Sequence, residues 1–287
     1  MELLRAVAAF VERPTESHAS LTATLDLPET PTEALWTQVF GFNLYPYASV
    51  YLGGEGKLGG EARDRVAGFF RALDAVPPPE PDHLPVLLAA LAELHERGAA
   101  GDHRAGHAAA TLLHEHVLSW VPLYLGRMEA LAPEPYRSWA TLAADALRHL
   151  ADEGAEPIVP LHLREAPAFE DPRDDDATPL LDQLLAPSRT GFVLTTADLR
   201  RAGRETGLSL RVGERRYVLA ALMGQSVPDT LGWLAAHAAA TTPGALEAWR
   251  DLVPATADWW SDRARTTATM LTGLADEAAA ATVVPVA

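Results

Sequence analysis

The sequence contains no cysteine among its 287 residues. Disulfide scaffolds, thiol nucleophiles and thiolate-bound zinc or iron–sulfur centres are therefore excluded. Cations are scarce as well, because 23 lysines and arginines stand against 39 aspartates and glutamates, a formal net charge of −16. Broad nucleic-acid binding needs clustered cations, so this balance argues against it. The balance suits a protein that stays soluble while it exposes apolar surface, or one that attracts a cationic partner.

Targeting and membrane-spanning segments are also missing from the sequence. The chain begins Met1-Glu2, with an acid where a secretory signal needs a cationic region. No window approaches the ~18 uninterrupted apolar residues of a membrane helix. We therefore expect a cytoplasmic protein without stable membrane insertion.

Apolar residues recur at helical spacing through most of the chain, whereas the alternation typical of strands is weak. The pattern predicts helices over 61–73, 102–120 and 134–151. A further leucine-rich helix is expected directly after Asp82, which is a good N-cap residue. Pro122 is expected to bend or end the helix before it. The fold class is therefore predicted as all-α.

One change in composition divides the chain into 1–152, an acidic linker over 153–177, and a C-terminal helical unit over 178–287. Between Ala151 and Pro179 there are nine acids, two arginines and five prolines, a composition typical of an extended connection. Shorter helices are predicted after it, at 178–186, 195–206, 213–224, 228–240, 243–251 and 256–280. Their predicted starts are marked by caps at Thr195, Ser226 and Thr242-Pro243. The tail over 278–287 is expected to fray.

Two features suggest chemistry, but a plainer interpretation is preferred for each. His103 and His107 share a helical face and could form part of a metal site, although solvated or packing histidines fit better. The glycine-rich segment 53–60 contains Gly-Lys, as phosphate loops do. It lacks a serine or threonine after Lys57 and carries Glu55, so a flexible connection is expected.

The segment 194–223 supports an alternative function. Two helices around a turn at Gly207 suggest a helix-turn-helix, and residues 189–216 hold seven arginines against three acids. A DNA-binding regulator would use Arg200, Arg201, Arg204, Arg211, Arg215 and Arg216. The preferred interpretation is an amphipathic helix pair whose arginines pair with the acidic linker or the first unit.

Three stretches, in order, carry a more specific signal. Residues 47–52 read YASVYL and are followed by LGGE at 58–61, and residues 79–85 read PEPDHLP before the leucine-rich helix. Residues 113–124 then read LHEHVLSWVPLY, with PYRSWA at 135–140. Together, over about residues 30–150, they resemble the TorD/DmsD/NarJ family of cytoplasmic chaperones that mature molybdenum-cofactor oxidoreductases.

That resemblance implies an all-α helical bundle, no enzymatic activity and no cofactor of its own. The implied partner is the apo catalytic subunit of a molybdopterin oxidoreductase, often bound through its twin-arginine leader peptide. Residues 178–287 match nothing in the family. Three roles stay open for this extra unit: it clamps the bound catalytic subunit (the client), it forms a dimer, or it contacts another maturation factor.

A leader peptide carries arginines followed by an apolar stretch, and an apolar groove with an acidic rim is its complement. The predicted client-binding residues are Tyr47, Tyr51, Leu52, Glu61, Asp82, His83, His116, Trp120, Pro122 and Tyr124. Asp82 is expected to accept from an arginine, and His83 to tune or orient that carboxylate. The competing interpretations are that Asp82 only caps its helix and that Trp120 belongs to the core.

Overall fold

The structure, a computed structural model, describes residues 1–151 and 158–283. These residues form sixteen α-helices and no β-strand. The predicted all-α fold class is confirmed. The first part of the predicted linker, 153–157, and the end of the predicted fraying tail, 284–287, lie outside the described residues.

Nine helices form the N-terminal part of the described chain. They are α1 (Glu2–Phe10), α2 (His18–Thr24), α3 (Glu33–Trp36), α4 (Ala48–Leu52), α5 (Gly60–Ala72), α6 (Leu84–Ala99), α7 (His103–Thr111), α8 (Val121–Leu131) and α9 (Tyr136–Ala151). Two π-helical segments, Thr37–Gly41 and Leu112–Val117, lie between them.

The helix predicted over 102–120 differs from the structure. In the structure the α-helix α7 ends at Thr111, and the chain continues as a π-helical segment to Val117. Pro122 does not end this helix but lies in the first turn of α8. A proline costs little there because the first N–H groups of a helix have no intrahelical acceptor.

Seven helices follow in the C-terminal part. They are α10 (Leu161–Arg164), α11 (Leu180–Leu184), α12 (Pro187–Thr190), α13 (Thr196–Thr206), α14 (Arg215–Met223), α15 (Val227–Leu246) and α16 (Pro254–Val283), with a 3₁₀ turn at Glu247–Trp249. The predicted caps at Thr195 and Ser226 are confirmed, since each side chain accepts from the N–H three residues later.

The predicted helix start at Thr242-Pro243 is wrong. Pro243 lies inside α15, and the expected break between 240 and 243 does not occur. The Thr242 side chain is buried and its hydroxyl donates to the Gly191 carbonyl at 2.9 Å. Thr242 therefore anchors the interior of a continuous helix.

The main hydrophobic core draws on both parts of the chain. Around Trp120 and Trp139 it includes six residues from beyond the linker: Val193, Leu246, Trp249, Val253, Ala257 and Trp260. The Trp260 indole N–H donates to the Ser119 carbonyl at 2.9 Å. A second, smaller core lies among α11 to α16. The C-terminal unit thus packs directly on the helices that carry the family-like motifs.

A buried ion pair marks this contact. Arg127 on α8 and Asp198 on α13 lie 2.7 Å apart, with side chains 4% and 0% exposed. Nearby, α15 crosses α8 so closely that a Cβ on Gly126 would lie 2.2 Å from the Ala245 carbonyl oxygen. Charge pairing and close backbone approach together fix α13 and α15 on α8.

Candidate functional site

The first two family-like motifs meet at Ser49. The Asp82 carboxylate accepts from the Ser49 backbone N–H at 3.0 Å, and the Ser49 hydroxyl accepts from the Gly59 N–H at 3.1 Å. Asp82 therefore caps α4, and the prediction that it caps the following helix α6 is wrong. The N-cap of α6 is His83, which makes no side-chain cap hydrogen bond. Asp82 faces α4 because the backbone of residues 46–48 pairs with that of 82–84.

Tyr47 and His83 lie face to face beside this junction. They form an isolated antiparallel bridge, and their rings stack with centroids 4.5 Å apart and planes 18° from parallel. Both residues come from the predicted site, and the structure brings them into contact although all of α4 and α5 lies between them in the chain. Tyr47 is partly exposed, whereas His83 is only 9% exposed, so the accessible aromatic area of the pair comes mainly from Tyr47.

Carboxylates surround the stacked rings. Glu80 accepts from the Tyr47 hydroxyl at 3.0 Å, and a Glu12 carboxylate oxygen lies 3.8 Å from His83 Nδ1. Among the described residues no arginine or lysine forms an ion pair with either glutamate. Burial lowers the pKa of His83, and Glu12, Glu80 and Asp82 oppose that shift. We call Tyr47, His83, Glu12 and Glu80 the Tyr47 patch.

Sequence reasoning missed both glutamates of this patch. Glu80 lies inside the PEPDHLP stretch and could have been found there. Asp82 was instead predicted as the residue that accepts from an arginine. Glu12 follows α1 and comes close only through the tertiary fold. Asp82 itself is only 2% exposed and directs its carboxylate at Ser49.

The predicted aromatic groove residues pack in the core. Tyr51 stacks on Trp120 with centroids 4.9 Å apart, and Tyr124 meets Tyr51 edge-on at 5.6 Å. These three rings are at most 1% exposed, and Leu52 and Pro122 are also buried. The interpretation of Trp120 as core is confirmed. The three rings join α4 to the start of α8, and all five residues are buried away from the surface.

Glu61 lies at a separate cavity of about 300 Å³ that the glycine-rich segment also lines, whereas His116 lies behind its lining. Glu61 and His162 line it, and His116 packs edge-on against His162 with ring centroids 5.4 Å apart. Glu61 and Glu165 both bind Arg65 on α5. Burial lowers the pKa of His116 to about 4 and that of His162 to about 3. Both imidazoles are therefore neutral at physiological pH.

The glycine-rich segment itself is held by its neighbours. Ser188 and Arg189 donate to the carbonyls of Gly53 and Gly54. Gly56 has φ +62°, and a Cβ there would lie 2.3 Å from the Leu185 carbonyl oxygen. Close backbone approach, rather than phosphate binding, accounts for the glycine at this position.

Neither alternative site is assembled in the described part of the chain. No group of three or more histidine, aspartate or glutamate side chains there can hold a metal, which leaves His103 and His107 without further ligands. In the helix-turn-helix-like segment, Arg216 pairs with Asp182, and Arg215 donates to the Leu194 carbonyl and lies over Tyr45. No observation favours DNA binding.

The N-terminal part of the chain is similar to a known protein family. Residues 14–125 match the family model of the nitrate reductase delta subunit. The match covers about two fifths of the chain and contains Tyr47, Asp82, His83 and Trp120. No curated protein and no solved structure matches the chain.

The delta subunit family is one of molybdoenzyme assembly chaperones. The delta subunit match therefore supports the NarJ part of the resemblance, while likeness to TorD and DmsD stays a prediction. It ends at residue 125, two residues before Arg127, so the buried Arg127–Asp198 pair lies outside it.

Proposed function

We propose that this chain is an assembly chaperone that binds the apo catalytic subunit of a molybdopterin oxidoreductase and assists cofactor insertion. The carrying observation is the match of residues 14–125 with the nitrate reductase delta subunit family. The protein acts by binding and release, without turnover. We place it in the cytoplasm, and none of the described helices is long and apolar enough to cross a bilayer.

The Tyr47 patch suits a client segment that carries arginine, such as a twin-arginine leader. A guanidinium stacks on aromatic rings and forms paired, charge-assisted hydrogen bonds with carboxylates. Glu80 at the Tyr47 hydroxyl and Glu12 beside His83 supply such carboxylates. Asp82 serves as a positioning residue, because its bond to Ser49 N holds the backbone that carries Tyr47.

Release follows from the maturation of the client. Folding of the catalytic subunit around its cofactor buries the recognised segment, so the mature subunit loses affinity for the chaperone. Differential affinity for apo and mature client is therefore the functional property of this protein.

A titration of the full chain with an arginine-bearing N-terminal peptide of the client tests the site. We expect the double variant Glu12→Gln/Glu80→Gln to bind about tenfold more weakly, with a shallower salt dependence, because two charge-assisted contacts are lost. Glu29→Gln, which neutralises an exposed acid elsewhere, is the matched control.

Two outcomes would count against the proposal, and they differ. Equal affinity of the double variant and the Glu29→Gln control for the peptide would show that the Tyr47 patch is not the binding site. If the unmodified chain binds neither the peptide nor the apo catalytic subunit, the proposed chaperone function is wrong.

A further inference from the structure

Three arginines of the C-terminal unit are exposed and have no acidic partner among the described residues. They are Arg200 and Arg204 on α13 and Arg211 in the turn after it. The neighbouring arginines are used inside the protein: Arg201 lies over Trp233, and Arg216 pairs with Asp182. In a chain with a net charge of −16, three unpaired cations close together are unusual.

Arg211 lies in a turn that packs against α13. Arg200 and Arg204 are one helical turn apart and therefore point the same way. Leu210 packs against Gly203, since a Cβ on that glycine would lie 2.4 Å from the Leu210 Cδ2 atom. This contact places the residue before Arg211 against the residue before Arg204.

Exposed apolar side chains lie in the same segment of the chain. Val212 is 96% exposed, Tyr217 53% and Leu210 40%. The Tyr217 ring lies against Gly213, 2.7 Å from where its Cβ would be, which places the ring beside the residue that follows Val212. We call Arg200, Arg204, Leu210, Arg211, Val212 and Tyr217 the 200–217 face. Its single acid in the turn is Glu214.

We infer that the 200–217 face docks reversibly on an anionic lipid surface. Cations that attract acidic headgroups, together with apolar side chains that enter the headgroup boundary, are the two components of peripheral membrane binding. Tyrosine is favoured at that boundary because its ring is apolar and its hydroxyl is polar. Since Leu210 and Val212 project from a turn and Tyr217 from the first turn of α14, a soft lipid surface fits them better than a folded partner would.

The acidic remainder of the chain limits this binding without preventing it. At physiological ionic strength charges are screened over about 8 Å, so contact between the face and headgroups is governed by local charges, which are the three arginines set against Glu205 and Glu214. The distant acids slow the approach to the surface and keep the attachment reversible. Binding of this kind would keep the protein close to a membrane without a spanning helix.

Sedimentation of the full chain with vesicles tests the inference. The vesicles contain phosphatidylcholine alone or with about 30 mol% phosphatidylglycerol. We expect sedimentation with the anionic vesicles only, decreasing as salt rises. Each arginine near the surface contributes about fivefold to partitioning, so Arg204→Gln/Arg211→Gln should lower the partition coefficient about 30-fold. Val212→Ser should lower it further, and Arg137→Gln, an exposed arginine on α9, should leave it unchanged.

Two results would overturn the inference. One is equal sedimentation with both kinds of vesicle, or with the double variant and the Arg137→Gln control. The other is a double variant that still sediments with the anionic vesicles but no longer binds an acidic protein or duplex DNA. That result would assign the face to the protein or to the DNA. Client binding through the Tyr47 patch is measured separately, so either result leaves the proposed chaperone function intact.

Discussion

Asp82 and Ser49 are joined by a hydrogen bond across 33 residues of sequence. The Asp82 carboxylate accepts from the Ser49 N–H at 3.0 Å, and both side chains are buried. Through the Ser49 hydroxyl the same junction reaches Gly59, the N-cap of α5. Two sequence motifs that resemble a chaperone family thus share one structural centre, beside which Tyr47 and His83 stack.

Removal of the Asp82 carboxylate should therefore affect stability. We expect Asp82→Ala to lower the free energy of unfolding by about 1.5–3 kcal/mol, since a buried N–H loses a charged acceptor. Asp82→Asn keeps an acceptor and should cost about 1 kcal/mol. Urea unfolding measures both changes, with the exposed Asp64→Ala on α5 as control. Unchanged stability of Asp82→Ala, combined with lost client binding, would instead make Asp82 a direct client contact.

The Arg127–Asp198 pair should couple the two parts of the chain energetically. Either single variant, Arg127→Ala or Asp198→Ala, leaves a buried charge without its partner and should cost about 3–5 kcal/mol. Burial opposes ionisation of Asp198, but Arg127, His237 and the hydrogen bonds from Thr195 outweigh it and lower its pKa. The double variant should cost less than the sum of the singles in a thermodynamic cycle. Additive losses would contradict the coupling.

Gly126 tests how closely α15 approaches α8. Alanine normally stabilises a helix interior by up to about 1 kcal/mol relative to glycine. At Gly126 the added Cβ would lie 2.2 Å from the Ala245 carbonyl oxygen, so we expect Gly126→Ala to destabilise the protein by about 1–3 kcal/mol. Gly68→Ala on α5 meets nothing within 4 Å and is the matched control. Equal thermal shifts for the two variants would contradict the close crossing.

The buried histidine pair predicts a loss of stability in acid. The folded-state pKa values of His116 and His162, about 4 and about 3, lie below the ordinary value of 6.5. Burial is the main cause for both, assisted by Arg65, while Glu61 partly opposes the shift at His162. Below pH 6.5 the unfolded chain therefore binds protons that the folded chain does not. Stability is complete above that pH and falls as the pH decreases toward about 4.

Substitution of one ring should flatten this pH dependence. We expect His116→Gln to reduce the slope of the unfolding free energy against pH between pH 6.5 and 4. The reduction corresponds to the uptake of up to one proton fewer on unfolding. His107→Gln, an exposed histidine on α7, should leave the slope unchanged. Unfolding in urea at a series of pH values measures both. The same slope in both variants would show that His116 does not remain neutral in the fold.

Local sequence signals predicted most of the helices. The capping box at Thr195 and Asp198 depends on residues three apart, and the structure contains it. Periodicity likewise located the helices at 61–73 and 134–151 within two residues at either end. Signals of this kind act within one turn of chain, so sequence alone contains them.

Features that depend on tertiary contacts were missed. Asp82 has the sequence pattern of an N-cap for α6, but the backbone pairing of residues 46–48 with 82–84 directs its carboxylate toward α4. Pro243 has the pattern of a helix start, yet Thr242 is buried against Gly191 and α15 continues through it. Glu12 joins the candidate site only because α1 ends near His83.

The most direct test of the central claim compares apo and mature client. The full chain is titrated against the purified catalytic subunit of a molybdopterin oxidoreductase, with and without its cofactor. We predict specific binding of the apo form and affinity weaker by about tenfold or more for the cofactor-loaded form. Equal affinity for both forms, or binding of neither, would contradict the proposed role as an assembly chaperone.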